Sequence, residues 1–236
     1  MPETPQLTKL SHVQTEAQLL QEILHSYSKV HTVFSPAKAE ILSQLPHSQI
    51  PHFTCHGRLD PGEPLLSQLA LRDWIDDPFT VADVTAMKLG AAYLAYLSAC
   101  HGSGNSTPGL LDESIHLTGA FHLAVFPKVI GTLWTVSDEL SAQVAVDFYK
   151  GLLNEGKLDV TFSAQALHYS VRRARETTRR VQGIARQVQD DPLIWAISVF
   201  RERKLSAKDV DIANLRRTRV FVFNSNTASA SSENRV

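Results

Sequence analysis

A histidine and a cysteine, each set just past a short apolar run, are the residues of this chain best suited to chemistry. Ile50-Pro51-His52-Phe53-Thr54-Cys55 runs into His56-Gly57, and Tyr93-Leu94-Ala95-Tyr96-Leu97-Ser98-Ala99 runs into Cys100-His101-Gly102. Both runs have the length and bounding of buried strands, and glycine-containing loops follow at once. In a parallel sheet, catalytic groups sit beyond the carboxyl ends of strands. A thiol nucleophile at one such end and an imidazole base at another would support covalent attack on a carbonyl. A buried cysteine with an unrelated histidine is the competing reading.

Alternation along the first run separates its two reactive side chains. Thr54 and His56 face one side of the strand, while Phe53 and Cys55 face the other. Cys55 is thus expected to pack as a small hydrophobe, which leaves Cys100 as the nucleophile. A free thiol, with a pKa of about 8.5, is mostly protonated at neutral pH. The imidazole of His56 would lower that pKa or take the proton during attack, then protonate the leaving amine. Backbone amides of Gly57 and Cys100 are the natural oxyanion donors, since glycine admits close approach to the chain.

Other combinations are weaker. His101 adjoins Cys100, and neighbours in sequence rarely converge on one point, so it is better placed to line substrate than to act as base. A metal site drawn from His47, His52, Cys55 and His56 is set aside, because alternation divides them between faces and no second Cys/His cluster completes it. Neither a metal nor another cofactor is expected. Ser103 lacks the strand and the first glycine of a nucleophile elbow. Asp60, Asp112 and Glu113 are candidates to line a pocket for a basic side chain, although loop charges and helix starts explain them equally well. The arginines 172, 173, 175, 179, 180 and 186 read as a solvated helix face or, more sharply, as a docking surface for an acidic partner.

The elements that must position these residues follow from periodicity. Val13, Ala17, Leu20 and Leu24 fall at helical spacing, and Val30–Phe34 reads as a strand. Ser35-Pro36 resembles an N-cap with proline at the first helical position, starting a helix over Ala37–Leu45. Leu69-Ala70-Leu71 is a short edge-strand candidate. Thr80-Val81-Ala82-Asp83 starts a helix in the manner of a capping box, over Val81–Met87. Asp112 and Glu113 open a helix reaching about Phe126, Val129–Trp134 is a buried strand, and Ser137-Asp138 opens a helix ending near Gly156. A long basic helix then runs from Thr161 or Ser163 to about Arg186, and Ile194–Phe200 is the last regular strand. Strands alternating with crossover helices predict an α/β fold with a mostly parallel sheet and helices on both faces. Residues 201–219 are charged, Arg219–Phe223 reads as a stray strand, and 224–236 has the composition of a disordered tail.

Composition bounds the rest. The chain has 236 residues, 43% hydrophobic and 20% charged, enough for one ordinary core. A net charge of −1 gives no case for nucleic acid or an anionic membrane. No 18-residue apolar stretch exists, and the start, Met1-Pro2-Glu3-Thr4-Pro5, lacks the apolar region of a secretory signal. With only two cysteines, a disulfide framework is excluded and a reducing compartment fits. A cytoplasmic location is the default.

Around His56 and Cys100 the chain resembles the CHAT domain family, caspase-like domains often found after tetratricopeptide repeats. The matching stretches are His52–Gly57, Leu94–Cys100, Asp112-Glu113-Ser114-Ile115-His116-Leu117, Val129–Asp138 and Pro192-Leu193-Ile194-Trp195-Ala196, in the family's order. The separation 100 − 56 = 44 is close to the roughly 50 residues of caspases. The resemblance covers residues 13–200, with 1–12 and 201–236 as flanking segments. It implies a caspase-like three-layer sandwich related to separases and metacaspases. It also implies a His56–Cys100 dyad in a cysteine endopeptidase, a hydrolase acting on protein or peptide substrates. Gly57 falls on an oxyanion position, and Asp138 on a family position read here as a helix cap. A repeat-domain or regulatory protein is an expected partner; nucleic acid and membrane are not.

The chain departs from the pattern at its start. The family's sheet begins with a strand before the first helix, central and beside the histidine strand, and no strand-like run precedes Val30. Upstream repeats are absent as well. The expectation is a sheet lacking that strand, open beside the catalytic centre. A catalytically impaired module that binds partners is the alternative function.

Overall fold

The computed structural model describes residues 7, 10–58, 60, 62–87, 89, 92–98, 118–119, 121–122, 126–132, 137–182, 198–202 and 218–224. The first half holds α1 (Val13–Leu24), β1 (Lys29–Phe34), α2 (Lys38–Gln44), β2 (Ile50–Thr54), β3 (Gly57–Arg58), β4 (Gln68–Leu69), β5 (Phe79–Thr80), α3 (Val81–Ala86) and β6 (Leu94–Ser98). The second holds β7 (Lys128–Thr132), α4 (Asp138–Gly151), β8 (Leu153–Asn154), β9 (Lys157–Leu158), α5 (Ser163–Gln182), β10 (Ser198–Glu202) and β11 (Arg219–Asn224).

Six of these strands form the central sheet, in the order β1-β11-β2-β6-β7-β10. All neighbours pair in parallel except β10, an antiparallel edge against β7. Two-residue periodicity splits the sheet's side chains between two cores. Ile50, Leu94, Tyr96, Ile130, Val220 and Val222 pack with Ala17, Leu20 and Leu24 of α1, with Val144, Ala145, Phe148 and Tyr149 of α4, and with Ala166 and Ala174 of α5. Phe53, Ala95, Leu97, Val129, Phe221 and Phe223 pack on the other side with Ile41 of α2, Val81 and Val84 of α3, and Phe121. The result is the three-layer, caspase-like α/β sandwich, with helices on both faces.

The place beside the histidine strand is not open. No strand precedes α1 among the described residues, yet β11 lies between β1 and β2. It pairs from Lys29↔Arg219 to Phe34↔Asn224 on one side, and from Val220↔Ile50 to Asn224↔Thr54 on the other. The "stray" run is thus a central strand. It is apolar toward both cores, and burying Val220, Phe221, Val222 and Phe223 is worth about 1.5–3 kcal/mol each. A strand that faces solvent on one side shows alternation; this one shows four consecutive apolar residues because neither side is wet.

Three helix starts differ from expectation or refine it. Ser35 does not cap α2: it takes a left-handed φ of 48°, and Ala37 holds the cap position. Asp73 supplies the missing acceptor from a loop, its two carboxylate oxygens receiving the Lys38 N–H at 3.0 and 3.1 Å. Thr80 and Asp83 form the reciprocal capping box at α3. Ser137, not Asp138, caps α4, with its Oγ accepting from the Leu140 N–H at 3.3 Å. Asp138 instead accepts the N–H of His12, the residue just before α1, at 2.5 Å. It joins the starts of two helices rather than capping its own. α4 also ends earlier than expected, at Gly151, because the β8–β9 hairpin turns through Glu155 and Gly156, both at positive φ.

Candidate active site

His56 leaves the carboxyl end of β2 and is almost fully buried, at 1% exposure. Its backbone is held from both sides. Its carbonyl accepts the Ala70 N–H at 2.7 Å, and the next residue, Gly57, begins a small antiparallel sheet by pairing with Leu69. Two residues earlier, Thr54 Oγ1 donates to the Phe223 carbonyl at 3.1 Å. The histidine thus sits where the central sheet hands over to the small β3-β4-β5 sheet. Beside it, the Arg58 guanidinium lies 4.8 Å from the centre of the buried Trp74 ring, a cation–π contact.

Cys55 faces the opposite core, as alternation requires. It packs among Phe53, Leu69 and Phe79, and burial pushes its thiol up to about 12. A thiol so held is a packing group rather than a nucleophile. Asp60, a candidate pocket residue, builds its own turn: Oδ1 accepts the N–H groups of Gly62 and Glu63 at 2.9 and 2.8 Å. The Asp60 N–H donates to Ser67 Oγ at 3.0 Å. Cys100, His101, Asp112 and Glu113 lie outside the described residues, as do Arg186 and the side chains of Arg179 and Arg180. Of the remaining arginines, Arg172 pairs with Glu176 and Arg173 with Asp147, each at 3.1 Å.

What is described of the cysteine strand is its register. β2 and β6 are adjacent and parallel, with His52 opposite Tyr96, Phe53 opposite Leu97 and Thr54 opposite Ser98. Each pair has the same offset: 96 − 52 = 44 and 98 − 54 = 44.

Behind this end of the sheet lies a buried polar network that no motif in the sequence announces. Glu16 of α1 places Oε1 at 2.8 Å from His52 Nε2 and accepts Ser98 Oγ on Oε2 at 3.1 Å. Ser98 Oγ is also 3.1 Å from Ser141 Oγ of α4, and His52 Nδ1 is 3.2 Å from the Tyr149 hydroxyl. All five residues are buried. Burial, reinforced by the charge of Glu16, holds the Tyr149 phenol well above its ordinary pKa, so it keeps its proton and can donate to His52 Nδ1. His52 Nε2–H then donates to Glu16, and every polar atom of the imidazole is engaged. The ring stacks on Tyr96 with centroids 4.7 Å apart. One sequence signal was present: Glu16 falls on the apolar stripe of α1, three residues after Val13 and four before Leu20. His52, considered as a metal ligand, is occupied by a carboxylate and a phenol instead.

A family model for the CHAT domain matches residues 2–200 of the chain. The chain belongs to the CHAT domain family. CHAT domains are caspase-like, so the protein is of a peptidase-like kind. The search of curated proteins found no match. The match ends at residue 200, before the strand at 219–224 that completes this CHAT domain's sheet. Among the described residues, no helix is long and apolar enough to cross a membrane.

Proposed function

We propose that this CHAT domain is a cysteine endopeptidase that cleaves protein substrates through His56 and Cys100. The observation that carries the reading is the β2–β6 register. His56 and Cys100 differ by the same 44 residues that separate each pair opposed across these strands. A base and a nucleophile each two residues beyond the Thr54–Ser98 pair would stand past neighbouring strand ends, within reach of one scissile bond.

In this reading His56 removes the Cys100 thiol proton as sulfur attacks the peptide carbonyl carbon. The negative oxygen of the tetrahedral intermediate is received by the amides of Gly57 and Cys100. The imidazolium returns its proton to the leaving nitrogen as the C–N bond breaks, and an acyl-enzyme thioester remains. Water, deprotonated by His56, attacks that thioester; the acid is released and the thiol regains its proton. The proton transfers contribute roughly 10²–10⁴-fold in rate. His101, Asp60, Asp112 and Glu113 are proposed as substrate-lining residues, and a reducing compartment such as the cytoplasm suits a free catalytic thiol.

A peptidyl ketone that traps thiolates should label the wild-type chain at Cys100 and leave Cys100→Ala unlabelled. Equal labelling of both would overturn the assignment. So would peptide turnover that survives His56→Ala at the wild-type rate.

A further inference from the structure

We infer that the space between β1 and β2 is a strand-acceptor site, and that residues 219–224 occupy it in cis as a docked, exchangeable strand. The ladder on each side is regular, with six register pairs to β1 and five to β2. Recognition of this strand is built into its neighbours. At the amino end, Lys29 N–H donates to the Thr218 carbonyl at 3.0 Å and Gln49 N–H to the Arg219 carbonyl at 3.1 Å. Gln49 Oε1 receives the Arg219 N–H at 2.7 Å. At the carboxyl end, Ser35 N–H donates to the Asn224 carbonyl at 2.6 Å, and Asn224 Nδ2 reaches the Val13 carbonyl at 3.4 Å. Between them, Val220 and Val222 enter one core and Phe221 and Phe223 the other. The site therefore selects a parallel strand with apolar residues at four consecutive positions and a terminal carboxamide.

The connection to the rest of the chain permits docking without enforcing it. β10 ends at Glu202, opposite Lys128 at the start of β7, and β11 starts at Arg219, opposite Lys29 at the start of β1. Both chain ends lie at the amino ends of the parallel strands. Four strand steps separate β10 from β11 in the sheet order, a distance of roughly 19 Å at about 4.8 Å per step. The intervening stretch 203–218 could span roughly 50 Å if extended. A connection whose extended reach exceeds the span it must cross does not by itself hold the strand in place, and it keeps the strand at high effective concentration. β1, the neighbour that must yield, is an edge strand with Lys29 and His31 exposed.

Two measurements on the 236-residue chain test this, and neither depends on peptide cleavage. In a Cys100→Ala background, Thr32→Cys with Val222→Cys should oxidise to an intrachain disulfide, because these positions are register partners. If burial makes that variant fail to fold, Lys29→Cys with Arg219→Cys supplies the same test at exposed partners. A disulfide formed only between two chains would overturn occupancy in cis. So would no disulfide at either pair in folded protein. For exchange, a specific protease recognition sequence replaces residues 206–212 and the folded chain is nicked. A fluorescent synthetic peptide of residues 218–225 should then incorporate at one per chain, displacing the native fragment. The same peptide carrying Val222→Asp and Phe223→Asp should not incorporate. Retention of the native fragment with no uptake of labelled peptide would show a fixed strand and overturn exchangeability.

Discussion

The two faces of strands β2 and β6 are built from opposite materials. On one, Glu16, His52, Ser98, Ser141 and Tyr149 form a continuous buried polar network. On the other, Phe53 stacks on Phe223 at 5.1 Å and meets Phe121 edge-on at 5.7 Å, with Cys55 among them. Hydrocarbon packing is non-directional and supplies the bulk of the stability. A carboxylate that must meet His52 and Ser98 together admits one alignment of β2, β6 and α1. The difference teaches a division of labour: the apolar face makes the sheet stable, and the polar face fixes which residues stand opposite each other at the carboxyl ends of β2 and β6.

The largest effect that would sharpen this contrast is chemical. Cys55 on the apolar face is pushed up to about 12, against about 8.5 for a free thiol, so near pH 8 it carries at least about a thousand-fold less thiolate. Native Cys100→Ala should therefore react with a thiol reagent near pH 8 about a thousand-fold slower than the same variant unfolded. Comparable rates would mean that this face is not sealed.

Next comes the polar network. Glu16→Ala leaves His52 and Ser98 without their shared acceptor, and breaking such a pair costs about 3–5 kcal/mol, read as a lower denaturant midpoint. Replacing the set with hydrocarbon, by Glu16→Met, His52→Leu and Tyr149→Phe together, should recover most of that loss. If the triple variant also keeps wild-type probe labelling, the polar face is dispensable for register and the division of labour fails. Tyr149→Phe alone removes the group facing His52 Nδ1 and should cost about 1–3 kcal/mol. No loss in urea unfolding would argue against that hydrogen bond.

The smallest effect lies at α3, which covers the apolar face. Partial burial alone would push the Asp83 carboxyl up. Hydrogen bonds from Thr80 and the Lys38 ammonium outweigh that and hold it below its ordinary 3.8. A carboxyl lowered by folding binds protons more readily unfolded, so its stabilisation is complete above 3.8 and is lost as pH falls through the folded value. The stability difference between wild type and Asp83→Asn should shrink on going from pH 6 to pH 3. A constant difference would assign the effect to packing.

How much of this was legible beforehand depends on whether the signal was local. The buried positions Val13, Ala17, Leu20 and Leu24, the capping box at Thr80 and Asp83, and the apolar runs of β2, β6 and β7 all declare themselves within a few residues. The placement of 219–224 does not. Its pattern says strand, but which strands flank it depends on partners some 170 and 190 residues away. The cap of α2 was misassigned for the same reason, since Asp73 reaches it from another loop. At the candidate site, the position of His56 just past the end of β2 and the burial of Cys55 were legible from the apolar run and its alternation. The Glu16–His52 pair was not, because its members look misplaced until a helix and a strand are brought together.

The position of β11 also sets a clock. Thr54 waits for Phe223 as a hydrogen-bond partner across 169 residues of sequence. At about 5–20 residues per second, that is roughly 10–30 s of synthesis. During that interval β1 lacks its partner strand and β2 carries an unpaired edge, the kind of surface on which nascent chains associate wrongly. Such non-local closure also slows folding after release. A nascent chain of this CHAT domain must therefore hold its histidine strand half-paired until residues 219–224 have emerged.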